Sequence, residues 1–72
     1  MAVEVKFGRV PGRLDNGVLN EGTTFREALR QLNVTVGADE VVSVNGDVID
    51  LSATVSSLTR SITVAKRVKG NH

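Results

Sequence analysis

Apolar and polar positions alternate at the start of the chain: Val3, Val5 and Phe7 against Glu4 and Lys6, the period of a strand with one face buried. Gly8 interrupts the alternation. Residues 8–17 hold the one proline, the glycines Gly8, Gly12 and Gly17, and the turn-forming run Asp15-Asn16-Gly17. They are expected to form a long hairpin loop returning the chain to a strand that ends at Val18-Leu19, with Asn20-Glu21-Gly22 as the next turn. Thr24 and Glu27 have the spacing of a capping box, in which the threonine hydroxyl accepts a backbone N–H of the first turn. Phe25, Ala28, Leu29 and Leu32 then recur at three and four residues, one face of a helix, while Arg26, Arg30 and Gln31 take the other. Asn33 is placed to stop that helix in the left-handed conformation. So short a helix needs a sheet to lie on.

Val41-Val42-Ser43-Val44 reads as a buried strand, and Asn45-Gly46 is the strongest two-residue hairpin signal in the chain. Asp47-Val48-Ile49-Asp50 follows as its partner strand or a shorter extended piece. Residues 51–61, rich in serine and threonine, have weak periodicity and are expected to hold a single helical turn or a loop crossing the domain. Alternation resumes at Ile62-Thr63-Val64-Ala65, with Val68 on the same face if the strand continues past Lys66. One helix between two groups of strands predicts an α+β fold, a sheet covered on one face.

The chain has 72 residues, enough for one domain whose core is marginal: at this size only about 60% of the unfolded surface is buried. Without cysteine there is no disulfide, thiol nucleophile or cysteine metal ligand, and His72, the sole histidine, cannot build a metal site alone. No cofactor is expected. The N-terminus has no signal-like apolar run, and nothing approaches the roughly 20 apolar residues of a spanning helix. The expectation is a cytoplasmic protein with no membrane partner.

Three stretches together resemble the ubiquitin-like β-grasp proteins, and within them the small sulfur carriers, the thiamine-biosynthesis carrier and the small subunit of molybdopterin synthase. Val18-Leu19-Asn20-Glu21-Gly22-Thr23-Thr24-Phe25 is similar to the family's strand, Asp-Gly-Thr-Thr turn and helix start. Val42-Ser43-Val44-Asn45-Gly46-Asp47 resembles its Val-x-Val-Asn-Gly-Glu hairpin, and Ile62 to Asn71 resembles its last strand and tail. The resemblance implies a mixed four- to five-stranded sheet packed on one helix, over residues 1–72, with residues 68–72 as a flexible tail. Family carriers end in Gly-Gly, whose carboxylate a partner enzyme adenylates before it becomes a thiocarboxylate or an amide. Here Gly70 matches the first glycine, Asn71 stands at the second, and His72 follows. Thr59-Arg60-Ser61 stands where the family has an Asp-Gly-Asp turn, a base in place of acids, which implies a different partner surface.

Charge sharpens that difference. Residues 1–50 carry five bases and eight acids, a net −3, whereas residues 51–72 carry Arg60, Lys66, Arg67 and Lys69 and no acid, a net +4. The leading expectation is a non-catalytic module that binds a protein partner through its sheet face and basic C-terminal strand, using Arg60, Lys66, Arg67, Lys69 and Gly70. The plainer account of those cations is protection of a sheet edge against aggregation. One alternative is a sulfur carrier or protein modifier, activated at Gly70 by a partner enzyme once Asn71 and His72 are removed. Another is a phosphate- or nucleic-acid-binding module using Arg60 and the basic tail, although only Phe7 and Phe25 are aromatic and both fall on apolar faces. The 8–17 loop is a further contact candidate through Arg9 and Arg13, with Val10 and Leu14 beside them. No catalytic residues are expected: Asp47 and Asp50 read as turn residues and Asp39-Glu40 as solvated acids.

Overall fold

The structure, a computed structural model, describes residues 2–67. Strands β1 (Ala2–Arg9) and β2 (Asp15–Asn20) form an antiparallel hairpin, helix α1 (Phe25–Gln31) crosses, β3 (Glu40–Val44) and the two-residue β4 (Asp47–Val48) form a second hairpin, and β5 (Ser61–Lys66) closes the fold. The five strands make one mixed sheet in the order β2-β1-β5-β3-β4, so β5 lies in the middle, parallel to β1 and antiparallel to β3. This is the α+β, β-grasp-like architecture expected from the chain.

The helix forms where its local chemistry says it should. The Glu27 N–H donates to Thr24 Oγ1 at 3.3 Å, and Phe25, Ala28 and Leu29 turn inward. Asn33 takes a φ of 61°, its N–H donates to the Arg30 carbonyl, and the Val34 N–H donates to the Leu29 carbonyl. That pair of bonds is the Schellman stop, which satisfies carbonyls a helix end otherwise leaves open. The first helical N–H groups have partners too: those of Phe25 and Arg26 donate to the carbonyls of Ala53 and Leu51.

These last bonds explain residues 51–61, which form no helix but a loop laid across the start of α1. The Val55 N–H donates to the Thr23 carbonyl at 2.7 Å, and the Gly22 N–H donates back to the Val55 carbonyl at 2.8 Å, so Val55 is pinned into the core. The core is assembled from β1 (Val3, Val5), β2 (Leu19), α1 (Phe25, Ala28, Leu29), β3 (Val42), β5 (Ile62, Val64) and Val55, all on the helix side of the sheet. Phe7, Leu32 and Val44 are partly buried against it.

One expected element is corrected. Residues 8–17 are not one long loop: β1 runs through Gly8 and Arg9, β2 begins at Asp15, and only residues 10–14 connect them. Pairing overrides the turn signal. Gly8 and Arg9 are held by β5 through Thr63 and Val64, and Asp15, Asn16 and Gly17 by Phe7, Lys6 and Val5. Both strand glycines are sites of close approach. A Cβ on Gly8 would stand 2.5 Å from the Arg13 carbonyl oxygen, and one on Gly17 2.7 Å from Leu32 and 2.8 Å from the Phe7 ring.

Candidate interaction surface

Because α1 covers only one face, strand alternation sends every second side chain to an uncovered face. Register places Gly8, Thr63, Ser43 and Val48 in one row across β1, β5, β3 and β4. Ala65 and Val41 form the next row toward the C-terminal end of β5, and Asn16, Lys6 and Ser61 the row on the other side. The middle of this face therefore carries small, uncharged side chains, and charge stands at its ends. Residues 10–14 fold over it, since Leu14 Cδ2 lies 3.0 Å from where a Gly8 Cβ would be. Val10, Leu14, Val18 and Val48 are exposed.

The cations named from the sequence do not form one cluster. Lys66 and Arg67 stand at the C-terminal end of β5, whereas Arg60 precedes its first residue. At about 3.3 Å per residue, Arg60 is about 20 Å from Lys66. Arg60 instead joins Glu4, Lys6, Asn16 and Ser61 around a shallow depression at the opposite end of the uncovered face, and its carbonyl accepts the Lys6 N–H at 2.9 Å. Arg13 lies in the 10–14 connection, exposed. Lys69 and Gly70 lie outside the described residues.

Arg9, assigned to a loop on sequence grounds, is brought to the Lys66–Arg67 end. Its Nε donates to Glu40 Oε2 at 3.1 Å and its Nη2 to Oε1 at 2.9 Å and to the Thr35 carbonyl. Glu40 Oε1 also accepts the Gly37 N–H at 2.7 Å, and Glu40 sits opposite Lys66 in the ladder. Glu40 is therefore not a solvated acid: its side chain is 11% exposed, against 51% for Arg9. The Arg9 hydrogen bonds, then the Gly37 N–H, hold its carboxyl down to about 2, against an ordinary 4.5, with the charges of Arg9 and Lys66 adding to the effect and partial burial opposing it. The same bond and charge raise the Arg9 guanidinium above its ordinary value. This clasp joins the end of β1 to the turn before β3, and the neighbouring Arg67 N–H donates to the Asp39 carbonyl at 2.6 Å.

A depressed carboxylate stabilises the fold above its ordinary pKa, and that contribution disappears as pH falls through the folded value. Urea midpoints of the native protein and Glu40→Gln are therefore expected to differ most above pH 4.5 and to converge as the pH approaches about 2. A constant gap between the two curves across that range would contradict the clasp.

Asn45 was legible only as a turn residue. Its φ of 54° fits that role, but its side chain reaches across to the loop before β5. Nδ2 donates to the Leu58 carbonyl at 2.9 Å, and Oδ1 accepts the N–H groups of Arg60 at 2.8 Å and Ser61 at 3.1 Å. The Asn45 N–H also donates to the Ser61 carbonyl at 3.0 Å. Asn45 thus sets where β5 begins and where Arg60 emerges. Neither contact was visible in the sequence, because the partners of Glu40 and Asn45 lie up to 31 residues away.

Among the described residues no group of three or more acidic or histidine side chains is placed to hold a metal ion, and no helix is long and apolar enough to cross a membrane. Every buried side-chain nitrogen and oxygen among them has a hydrogen-bond partner. Compared with protein-family models, curated proteins and solved structures, the chain matches none.

Proposed function

We propose that this β-grasp-like chain is a non-catalytic, ubiquitin-like interaction module that seats a protein partner on its uncovered sheet face, with the basic end of β5 at the rim. The observation that carries this reading is the distribution of charge on that face. Thr63, Ser43 and Val48 make a small, uncharged centre, Leu14 stands beside them over Gly8, and Arg67 stands at one margin, whereas Lys66 has the alternation of Ile62 and Val64 and falls on the helix side. Protein interfaces share this distribution of charge, depleted at the centre and present with polar groups around it. Arg60 and Lys6 supply a second, separate pair of cations at the far end. Arg9 serves the module indirectly, by fixing the strand ends beside Lys66.

The test is retention of a partner from the native cell by the immobilised full chain, compared with Lys66→Ala/Arg67→Ala/Lys69→Ala. Loss of one defined protein, with unchanged thermal stability of the variant, is expected. An identical set of retained proteins would move the site away from this end.

The central position of β5 favours a second reading, in which the protein resembles the sulfur carriers in use as well as in fold. β5, paired on both sides, ends four residues before Gly70 in the sequence, and an activating enzyme could hold the sheet while acting on a carboxylate exposed at Gly70 by removal of Asn71 and His72. Intact mass of the protein from its native cell separates the two. A form ending at Gly70, or its thiocarboxylate, supports the carrier; only chains ending at His72 remove it. Contact of Arg60 and the basic tail with nucleic acid would require a ligand spanning the length of β5.

A further inference from the structure

On the helix side of the sheet, away from the proposed sheet-face site, α1 and the segment after it border an open cleft of about 510 Å³. Its apolar lining comes from Leu29, Val34, Val36 and Leu51, and Arg26 and Arg30 stand along its helical rim. Both arginines are exposed, and neither side chain has a hydrogen-bond or ion-pair partner among the described residues. Val36 and Leu51 also border an adjoining cleft of about 230 Å³, where Glu40 and Asp50 stand with Arg67, so the excess of positive charge belongs to the larger cleft alone. The larger cleft thus offers an aliphatic floor with two unpaired guanidinium groups along its helical rim.

We infer that this groove binds an extended, acidic segment of a partner protein in which carboxylates alternate with aliphatic side chains. Two guanidinium groups four residues apart on a helix stand about 6 Å from one another at their Cβ atoms. Side chains two residues apart on an extended strand are separated by about 6.6–6.8 Å and point the same way, while the residue between them points oppositely. Carboxylates at alternate positions therefore meet Arg26 and Arg30, each with the fork geometry that guanidinium groups offer a carboxylate. The intervening aliphatic side chains fall on the partly buried Val34, Val36 and Leu51. The floor also decides against nucleic acid, whose bases need aromatic platforms: none lines either cleft. This inference stands without the sheet-face proposal, since the cleft beside Arg26 and Arg30 shares no residue with the uncovered sheet face.

The test uses the full chain, isotopically labelled, titrated with a short synthetic peptide alternating glutamate and valine, with glutamine–valine and lysine–valine peptides as controls. The glutamate peptide is expected to shift the amides of residues 26–36 and Leu51 saturably, at least about tenfold more tightly than the glutamine peptide, and to weaken as salt rises. Arg26→Gln/Arg30→Gln, at exposed positions where glutamine keeps helix propensity, is expected to abolish that preference without changing the thermal midpoint. Arg26→Glu/Arg30→Glu should transfer it to the lysine peptide. The inference is overturned by any of three results: no saturable shift, shifts confined to the uncovered sheet face, or a glutamate preference that survives Arg26→Gln/Arg30→Gln. Tighter binding of a single-stranded oligonucleotide to the same amides would also overturn it.

Discussion

Ile62→Ala is expected to cost about 3–4 kcal/mol. Ile62 is completely buried and sits on the central strand, opposite Phe7 of β1 on one side and Val44 of β3 on the other. Neither neighbouring strand can move into the vacated volume without breaking its own ladder, so the cavity stays open. A domain of this size has a total stability of about 4–10 kcal/mol, so the variant keeps little of it. Thermal or urea denaturation checks this, with Ile62→Val expected to cost about 1 kcal/mol. A loss below about 1 kcal/mol for Ile62→Ala would mean that the sheet can close around the site.

Asn45→Ala is expected to cost about 2–3 kcal/mol although Asn45 is exposed. Three side-chain hydrogen bonds are lost, each with a net value of about 0.5–1.5 kcal/mol, and alanine must hold the left-handed φ at a further cost of about 1 kcal/mol. Solvent reaches the site, so part of the hydrogen-bond loss is recovered by water. Two further variants separate the contributions. Asn45→Gly removes the bonds but relieves the backbone, and Asn45→Asp keeps the acceptor for the Arg60 and Ser61 N–H groups while losing the donor to Leu58. The expected order of destabilisation is alanine, glycine, aspartate. Equal losses for alanine and glycine would assign the whole effect to the bonds and none to the backbone.

What could be read from the chain was whatever is encoded within a few residues. Thr24 with Glu27, Asn33, Asn45-Gly46 and the alternations at Val3–Phe7 and Ile62–Ala65 each formed the element their local chemistry specifies. Gly8 and Asp15-Asn16-Gly17 carry equally strong turn chemistry and nonetheless lie in strands. The β1–β2 and β1–β5 ladders supply backbone partners to both, and the missing side chains admit the Arg13 carbonyl and the Phe7 ring. Val55 has no periodic neighbours because its burial depends on an exchange of backbone bonds with Gly22 and Thr23. The surface was legible to a similar degree. Charge counting found the cations but not their separation, since only the register of β5 puts Arg60 at one end and Lys66 and Arg67 at the other, where Arg9 and Glu40 join them.

The uncovered sheet face and the basic end of β5 are expected to form a single contact surface for a protein partner. Amide shifts of the labelled full chain, titrated with the partner that the immobilised protein retains, test it most directly. The predicted result is perturbation concentrated at Ser43, Val48, Thr63, Ala65 and Arg67, with Val55 and Leu19 in the core unaffected. Perturbation absent from those strands, with the partner still bound, would contradict it.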